Sequence, residues 1–171
     1  MTIVDPRDRD GVLTTESREQ IDGDAFADAL ESEPVRSGWV VVALTFDAAG
    51  RVLLIEEPWA DGWLAPGGAR KPGESLDAAV KREIGEETGV EATPVAPRAV
   101  DEFTFEHEGT GETVGWTLVC FEAIADDPEI DRDPSVDDEE ITDIRWFDDL
   151  PENVFNPDWM VSAYEECVNG L

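Results

Sequence analysis

The stretch from Gly68 to Val90 constrains this chain more than any other. It reads GARKPGESLDAAVKREIGEETGV. Ser75 is a typical N-cap residue and Gly89 a typical C-cap residue, so the pattern predicts a helix between them, over residues 76–88. Before that helix, Pro66 and two glycines end any strand and let the backbone approach another group closely. We therefore expect a tight turn followed by a short, well-delimited helix.

Three glutamates crowd the last turns of this predicted helix. Glu83, Glu86 and Glu87 lie within about 100° of arc on one side of it. Like charges at these spacings repel each other, and the negative end of the helix dipole adds to the cost. A hard divalent cation with oxygen ligands, Mg²⁺ or Mn²⁺, would relieve that repulsion. With 42 acidic residues in 171, such a cluster taken alone is more typical of a solvated face.

The complete pattern decides between these two interpretations. The stretch resembles the Nudix box, G-x5-E-x7-R-E-U-x-E-E-x-G-U with U a bulky aliphatic residue, at every defined position. The segment from Trp63 to Gly68 resembles the W-x-x-P-G-G approach to the box, and residues 144–147 with Leu150-Pro151 resemble a late strand and turn of the family. The resemblance covers residues 37 to about 165.

The resemblance implies a fold and a division of the chain. The expected fold is α+β, the Nudix fold, an α/β/α sandwich around a mixed central sheet. The strand and turn signals agree, with a predicted hairpin over residues 39–57, later strands near 99–107, 114–125 and 141–147, and a last helix near 158–168. We expect an N-terminal extension over residues 1–36, polar with one short helical stretch, and a Nudix hydrolase domain over residues 37–171.

The resemblance also implies roles for individual residues. The implied metal ligands are three carboxylates and one backbone carbonyl: Glu83, Glu86, Glu87 and Gly68. Arg82 would pair with a box glutamate and hold it in place, which is the usual role of a residue behind a metal ligand. Glu74 would belong to that supporting layer or to an outer metal. We count Arg82 and Glu74 with the three ligand glutamates as the catalytic set.

The implied activity is the hydrolysis of a nucleoside diphosphate linked to another group X, at a phosphoanhydride bond, with Mg²⁺ or Mn²⁺ as cofactor. The enzyme would be a Nudix pyrophosphohydrolase that acts on acid anhydrides, and a small-molecule nucleotide would be its substrate. A carboxylate would take the proton of the attacking water. It would lie on the box helix or on a later loop, where Glu139 and Glu140 are candidates and plain acidic surface is the alternative. A second hypothesis is a Nudix-fold module that binds a nucleotide without cutting it.

The resemblance constrains the residues that contact substrate less than it constrains the metal ligands. Trp63 and Arg70 are the predicted substrate-binding residues, while Trp59, Trp116 and Trp159 are further aromatic candidates for stacking on a base. Both lysines and two arginines fall inside the box, where they either partly neutralise the site for a polyphosphate or pair with helix glutamates. The proline and tyrosine that family members specific for ADP-ribose or dinucleoside polyphosphates often carry after the box are absent near His107. Nucleoside triphosphates therefore stand slightly ahead of ADP-ribose.

The charge and composition of the chain indicate the environment in which the protein works. The formal net charge is -30, with ten arginines and only two lysines, which resembles proteins of halophiles that accumulate salt in the cytoplasm. A surface this negative repels nucleic acid polymers. No signal peptide or membrane-length apolar run is present, so we expect a cytoplasmic location and no membrane partner. A homodimer is an open alternative, since the extension over residues 1–36 could add a strand or supply a dimer contact.

Overall fold

The computed structural model describes residues 3–131 and 141–169 of the chain. A short 3-10 helix over Pro6–Asp8 opens the described part. The strands are β1 (Leu13–Ile21), β2 (Trp39–Phe46), β3 (Val52–Glu56), β4 (Gly67–Ala69), β5 (Glu91–His107), β6 (Thr113–Asp127) and β7 (Asp143–Phe147). The α-helices are α1 (Gly23–Glu31), α2 (Glu33–Ser37), α3 (Leu76–Thr88) and α4 (Pro157–Asn169). In this part of the chain, no helix combines the length and the apolar character needed to cross a bilayer.

The strands form one mixed sheet in the order β1-β5-β6-β2-β3-β7, and β4 pairs with β2 outside this path. The pairs β1–β5 and β2–β6 are parallel, whereas β5–β6, β2–β3, β3–β7 and β2–β4 are antiparallel. Because β2 has β6 beside it and β4 pairs with it as well, the short turn before α3 is tied directly to the centre of the sheet.

Alternating residues of the central strands send apolar side chains to opposite faces of the sheet. Val41 and Leu53 join one buried cluster with Val80 and Ile84 of α3. On the other face, a second buried cluster combines strand residues with residues of α4: Leu44, Val52, Leu54, Cys120, Met160, Ala163 and Cys167. The predicted α/β/α sandwich with a mixed central sheet is confirmed.

The N-terminal residues pack on this sheet. Strand β1 pairs in parallel with β5, from Leu13 opposite Ala99 to Ile21 opposite His107. Thr15 donates from its hydroxyl to the buried carboxylate of Asp101 at 2.6 Å. The sequence predicts a polar stretch with a short helix here and leaves an added strand open; β1 is such a strand, although the pattern did not locate its residues. The division of the chain at residue 36 remains a prediction.

Candidate active site

Local signals begin and end helix α3 where the sequence predicts. The Ser75 side chain accepts a hydrogen bond from the Ala78 N–H, and Gly89 ends the helix in the left-handed conformation with φ 73°. The helix buries Val80 and Ile84 completely in the core. That anchoring fixes the rotation of the last two turns and brings their glutamates to the strand side of the helix.

Two of those glutamates are buried. Glu83 is 8% exposed and Glu87 only 1% exposed. An ionised carboxylate removed from water is costly unless a cation or hydrogen-bond donors compensate it. The Gly67 N–H is one such donor, at 2.9 Å from the Glu87 carboxylate. The carboxylates therefore lie where a fold does not place glutamate for stability alone.

The glycines of β4 allow the backbone to meet these carboxylates. A Cβ atom at Gly68 would lie 2.7 Å from the Glu83 carboxylate, closer than van der Waals contact permits. A Cβ atom at Gly67 would collide with the backbone carbonyl of Val41 on the neighbouring strand. A side chain at residue 68 would therefore force the Glu83 carboxylate to move.

One arginine connects the acidic side chains. Arg82 donates to both oxygens of Glu74, with Nε at 2.6 Å and Nη2 at 2.8 Å. Its Nη1 also donates to Glu83 at 2.8 Å and to Glu86 at 3.2 Å. The hydrogen bonds to Glu74 contribute most to a raised Arg82 pKa, and the same contacts hold the Glu74 pKa below its usual value. We call these five residues (Glu74, Arg82, Glu83, Glu86 and Glu87) the carboxylate side of the site.

Glu83 differs electrostatically from Glu74. Burial raises the pKa of the Glu83 carboxyl, and the nearby Glu86 charge raises it further. Hydrogen bonds from Arg82 and with Glu87 act in the opposite direction, but burial prevails. A carboxyl whose ionised form is disfavoured in this way gains from a cation placed beside it.

These donors fit a hard divalent cation. They are carboxylate oxygens beside the main chain of Gly68, and oxygen ligands are what Mg²⁺ and Mn²⁺ prefer. Among the described residues, no three Asp, Glu, His or Cys side chains form a ready cage for an ion. Mg²⁺ does not require one, because it usually keeps several waters and binds through one or two carboxylates together with substrate phosphates.

A cavity of about 630 Å³ opens beside the carboxylates. Glu87, Gly67 and Gly68 form part of its wall, and aliphatic residues of β2, β3 and β6 form another part. Pro34 of helix α2 also lines it, so the N-terminal segment contributes to the wall. Four aromatic residues line the cavity as well, and we call them the aromatic side of the site: Trp59, Trp116, Phe155 and Trp159.

The two predicted substrate-binding residues lie elsewhere. Trp63 is 7% exposed and packs edge-on against Phe147, with ring centroids 4.9 Å apart. Arg70 donates from Nε to the Glu74 carbonyl oxygen at 2.6 Å. Neither residue is among those that line the cavity. Their role in binding substrate remains a prediction, whereas three of the four tryptophans considered for base stacking lie in the cavity wall.

The remaining candidates have simpler surroundings. His107 accepts hydrogen bonds at Nδ1 from the Gly109 and Thr110 N–H groups and packs against the Phe26 ring, which is a structural role in a strand end. Glu139 and Glu140 lie outside the described residues.

Sequence reasoning missed Phe155, Asn156 and Glu57 at the cavity. Phe155 and Asn156 follow the late Leu-Pro turn, a position that their residue types alone do not mark as part of a site. Glu57 is buried at 7% exposure, and its carboxylate accepts a hydrogen bond from Trp59 Nε1. Pro58 and Trp59, two apolar residues in an otherwise acidic loop, were the available sign that this loop borders a site.

The comparisons with known proteins agree with this geometry. The NUDIX domain family model matches residues 36–162. No curated protein matches the chain. Among solved structures, a UDP-X diphosphatase is 21% identical with a TM-score of 0.57, over 88% of this chain and 73% of that one. The MutT protein of Bacillus halodurans is 27% identical with a TM-score of 0.55, over 74% and 79%. An ADP-ribose pyrophosphatase of Streptococcus suis is 18% identical with a TM-score of 0.54, over 77% and 90%.

The fold and the matched region define a hydrolase of the class that acts on acid anhydrides. The chain belongs to the Nudix family. The family and the enzyme class that the box predicts are thereby confirmed.

Proposed function

We propose that this protein hydrolyses a phosphoanhydride bond in a nucleoside diphosphate linked to another group X, with Mg²⁺ or Mn²⁺ as cofactor. Nucleoside triphosphates and ADP-ribose-like compounds are the substrates to test first. The observation that carries the proposal is the burial of Glu83 beside Gly68 and of Glu87 beside Gly67, where Glu87 and both glycines line a cavity large enough for a nucleotide.

The residues on the carboxylate side would have two roles, binding the metal ion and positioning its ligands. A bound divalent ion would neutralise the diphosphate and lower the pKa of a water molecule. Glu83 and Glu87, with the Gly68 carbonyl, would hold that ion. Arg82 positions Glu83 and is itself fixed by its two hydrogen bonds to Glu74. Positioning and electrostatics of this kind supply most of the rate in such reactions.

Proton acceptance requires a further carboxylate that reaches solvent. On the box helix, the Glu86 side chain is 36% exposed, compared with 11% for Glu83. Glu86 is therefore better placed than the buried Glu83 and Glu87 to exchange a proton with water, and we propose it as the base in place of the ligand role that the resemblance implies. Glu139 and Glu140 are the alternatives, and substitution of each by glutamine separates the three.

The test is hydrolysis of a substrate panel in molar KCl, with and without Mg²⁺ or Mn²⁺. The panel contains nucleoside triphosphates, ADP-ribose, nucleoside diphosphate sugars and dinucleoside polyphosphates. We expect metal-dependent release of phosphate products and a loss of about 100-fold or more in kcat for Glu87→Gln. Glu165→Gln, at an exposed position on α4, is the matched control. Nucleotide binding without turnover would overturn the proposal and favour a binding module.

We also propose that the protein is adapted to high salt. Its net charge of -30 creates self-repulsion that molar salt screens, because the Debye length there falls to about 3 Å. Thermal unfolding followed by circular dichroism between 0.1 and 3 M KCl should show a midpoint that rises with salt. A midpoint that stays constant or falls would contradict this.

A further inference from the structure

The sheet ends at a long edge strand that only one described strand accompanies. Strand β1 comes first in the sheet order, so β5 pairs with one of its sides and the main-chain groups on its other side face no described strand. The strand has nine residues and contains neither proline nor glycine, two residues that weaken strand pairing. Such an edge can accept a further strand through main-chain hydrogen bonds.

The sequence of β1 is complementary to itself when two copies run antiparallel. In the symmetric register that pairs all nine residues, Ser17 lies opposite Ser17 of the second copy, and Leu13 lies opposite Ile21. Glu16 then lies opposite Arg18 of the second copy, and the twofold axis repeats this pair on its other side. Opposite charges that face each other across two strands stabilise a sheet, whereas like charges destabilise it.

Other symmetric registers lose this match. If the axis moves from Ser17 to either neighbouring residue, Glu16 lies opposite Glu16, or Arg18 lies opposite Arg18. A further move to Glu19 places that glutamate opposite itself, and every move shortens the paired segment. The register with the most paired residues is therefore also the one with matched charges. Strands that meet in the registers centred on charged residues repel each other, which limits unspecific association at this edge.

The two charged side chains are available for such pairing. Glu16 is exposed, and its neighbour on β5 is Glu102, a like charge that already pairs with Arg7. The described residues offer the Glu16 side chain neither a hydrogen bond nor an ion pair. The Arg18 side chain is 60% exposed and has only a 3.4 Å contact with Glu106. A second copy would supply Glu16 with the cation that its own chain does not provide.

The opposite edge of the sheet differs. Strand β7 has five residues, and antiparallel pairing of two copies over its full length places Arg145 opposite Arg145. Within the chain, Arg145 already pairs with Asp143 at 2.8 Å. Charge complementarity therefore favours self-association at β1 rather than at β7.

We propose that two copies of this chain associate through their β1 edges, in the antiparallel register centred on Ser17, to form one continuous sheet across a twofold axis. The occupant is a second copy rather than an unrelated extended segment, because the charge order Glu16, Ser17, Arg18 is complementary to its own reverse. The net charge of -30 opposes association at low salt, and molar salt screens that repulsion because the Debye length falls to about 3 Å. No residue of β1 lines the cavity, so this inference does not depend on the proposed function.

The test measures the dimer dissociation constant by sedimentation velocity in molar KCl, from micromolar to near-millimolar protein. Glu16→Arg places arginines opposite each other on both sides of the axis and should weaken the dimer by about 10-fold or more. Glu19→Arg is the matched control, because it makes the same change of charge at a residue that faces the uncharged Thr15. It should dimerise at least as tightly as the parent protein.

The decisive measurement mixes two variants. Arg18→Glu alone places like charges at the axis, but its equimolar mixture with Glu16→Arg pairs arginine with glutamate at both positions. The mixture should form a heterodimer with an affinity within about threefold of the parent homodimer, and the double substitution in one chain should restore the homodimer. Melting curves confirm that each variant is folded. If Arg18→Glu is destabilised by the nearby Glu106, the comparison of Glu16→Arg with Glu19→Arg decides the outcome.

Two results would overturn the inference. One is a parent protein that stays monomeric at every concentration. The other is a dimer whose affinity is the same in Glu16→Arg and Glu19→Arg, which would assign the contact to another surface.

Discussion

The two sides of the site differ in how fully their polar groups are satisfied before any ligand arrives. On the carboxylate side, Arg82 makes hydrogen bonds to three glutamates and fixes their positions. On the aromatic side, two rings are exposed and Trp159 Nε1 has no acceptor among the described residues. The carboxylate side is therefore held in place by its own hydrogen bonds, while the aromatic side keeps exposed rings at the cavity. Damage to each side should therefore appear in different kinetic constants.

Among the variants that compare the two sides, Arg82→Lys has the largest expected effect. Lysine cannot reproduce the bidentate pairing with Glu74 and the simultaneous contact with Glu83, so the metal ligands would lose their support. We expect kcat to fall by about 100-fold with little change in KM. Steady-state kinetics at saturating Mg²⁺ measures it, with Lys81→Arg, the reverse exchange at an exposed neighbour, as control. A change in kcat of less than threefold would remove the positioning role.

A smaller loss is expected from Gly68→Ala. The new Cβ atom would approach the Glu83 carboxylate to 2.7 Å and displace it, since Arg82 holds that carboxylate on its other side. We expect a loss of about 30-fold in kcat/KM with the fold intact. Gly85→Ala is the matched control. Gly85 lies in α3 beside the same glutamates, and a Cβ atom there meets open space. Equal activities of the two variants would contradict the close approach of residue 68 to the ligands.

Trp59→Ala tests the opposite side. If Trp59 stacks on the substrate, its loss should raise KM by about 10-fold and leave kcat nearly unchanged, because the contact would lie away from the reacting phosphates. Val95→Ala, which shortens an exposed apolar side chain on β5, controls for general surface effects. A fall in kcat without a change in KM would erase the distinction between the two sides.

The smallest effect concerns pH. Burial raises the pKa of Glu83, so a proton competes with the metal at pH values above the ordinary range of glutamate. Mn²⁺ affinity, measured by calorimetry, should therefore fall several-fold as the pH is lowered through the raised pKa of Glu83. The free energy of unfolding of the metal-free protein should instead rise as the pH is lowered. The contribution of Glu83 is fully present below its unfolded pKa and is lost as pH rises through the raised folded value. Mn²⁺ affinity independent of pH near the raised value would contradict this.

The box helix was predictable because its signals are local. Ser75 and Gly89 lie at the ends of the segment that they delimit, and the bounds of α3 match the prediction. Strand β1 was not predictable in the same way. Its sequence LTTESREQI lacks a clear apolar face, and it acquires its structure from pairing with β5. The sequence carries no local sign of that partner.

The tryptophans also show what a local sequence pattern does not predict. Trp63, which precedes the Pro-Gly-Gly turn, is the predicted stacking residue, and the structure shows it buried against Phe147. Trp59, four residues earlier, is the exposed one. Which of two nearby aromatic residues reaches a cavity depends on the path of the loop beside residues 153–155, and the hydrophobic pattern does not encode that path.

The parallel pairing of β1 with β5 also has a consequence for synthesis of the protein. Thr15 lies opposite Asp101 across the two strands, 86 residues later in the chain. Strand β1 leaves the ribosome early and has to wait, unpaired, until most of the sheet has been made. Its exposed positions carry charged and polar side chains such as Glu16, Arg18 and Gln20, which discourage association with other nascent chains during that delay. The polar character that hid this strand from sequence reasoning is therefore what protects it before it folds.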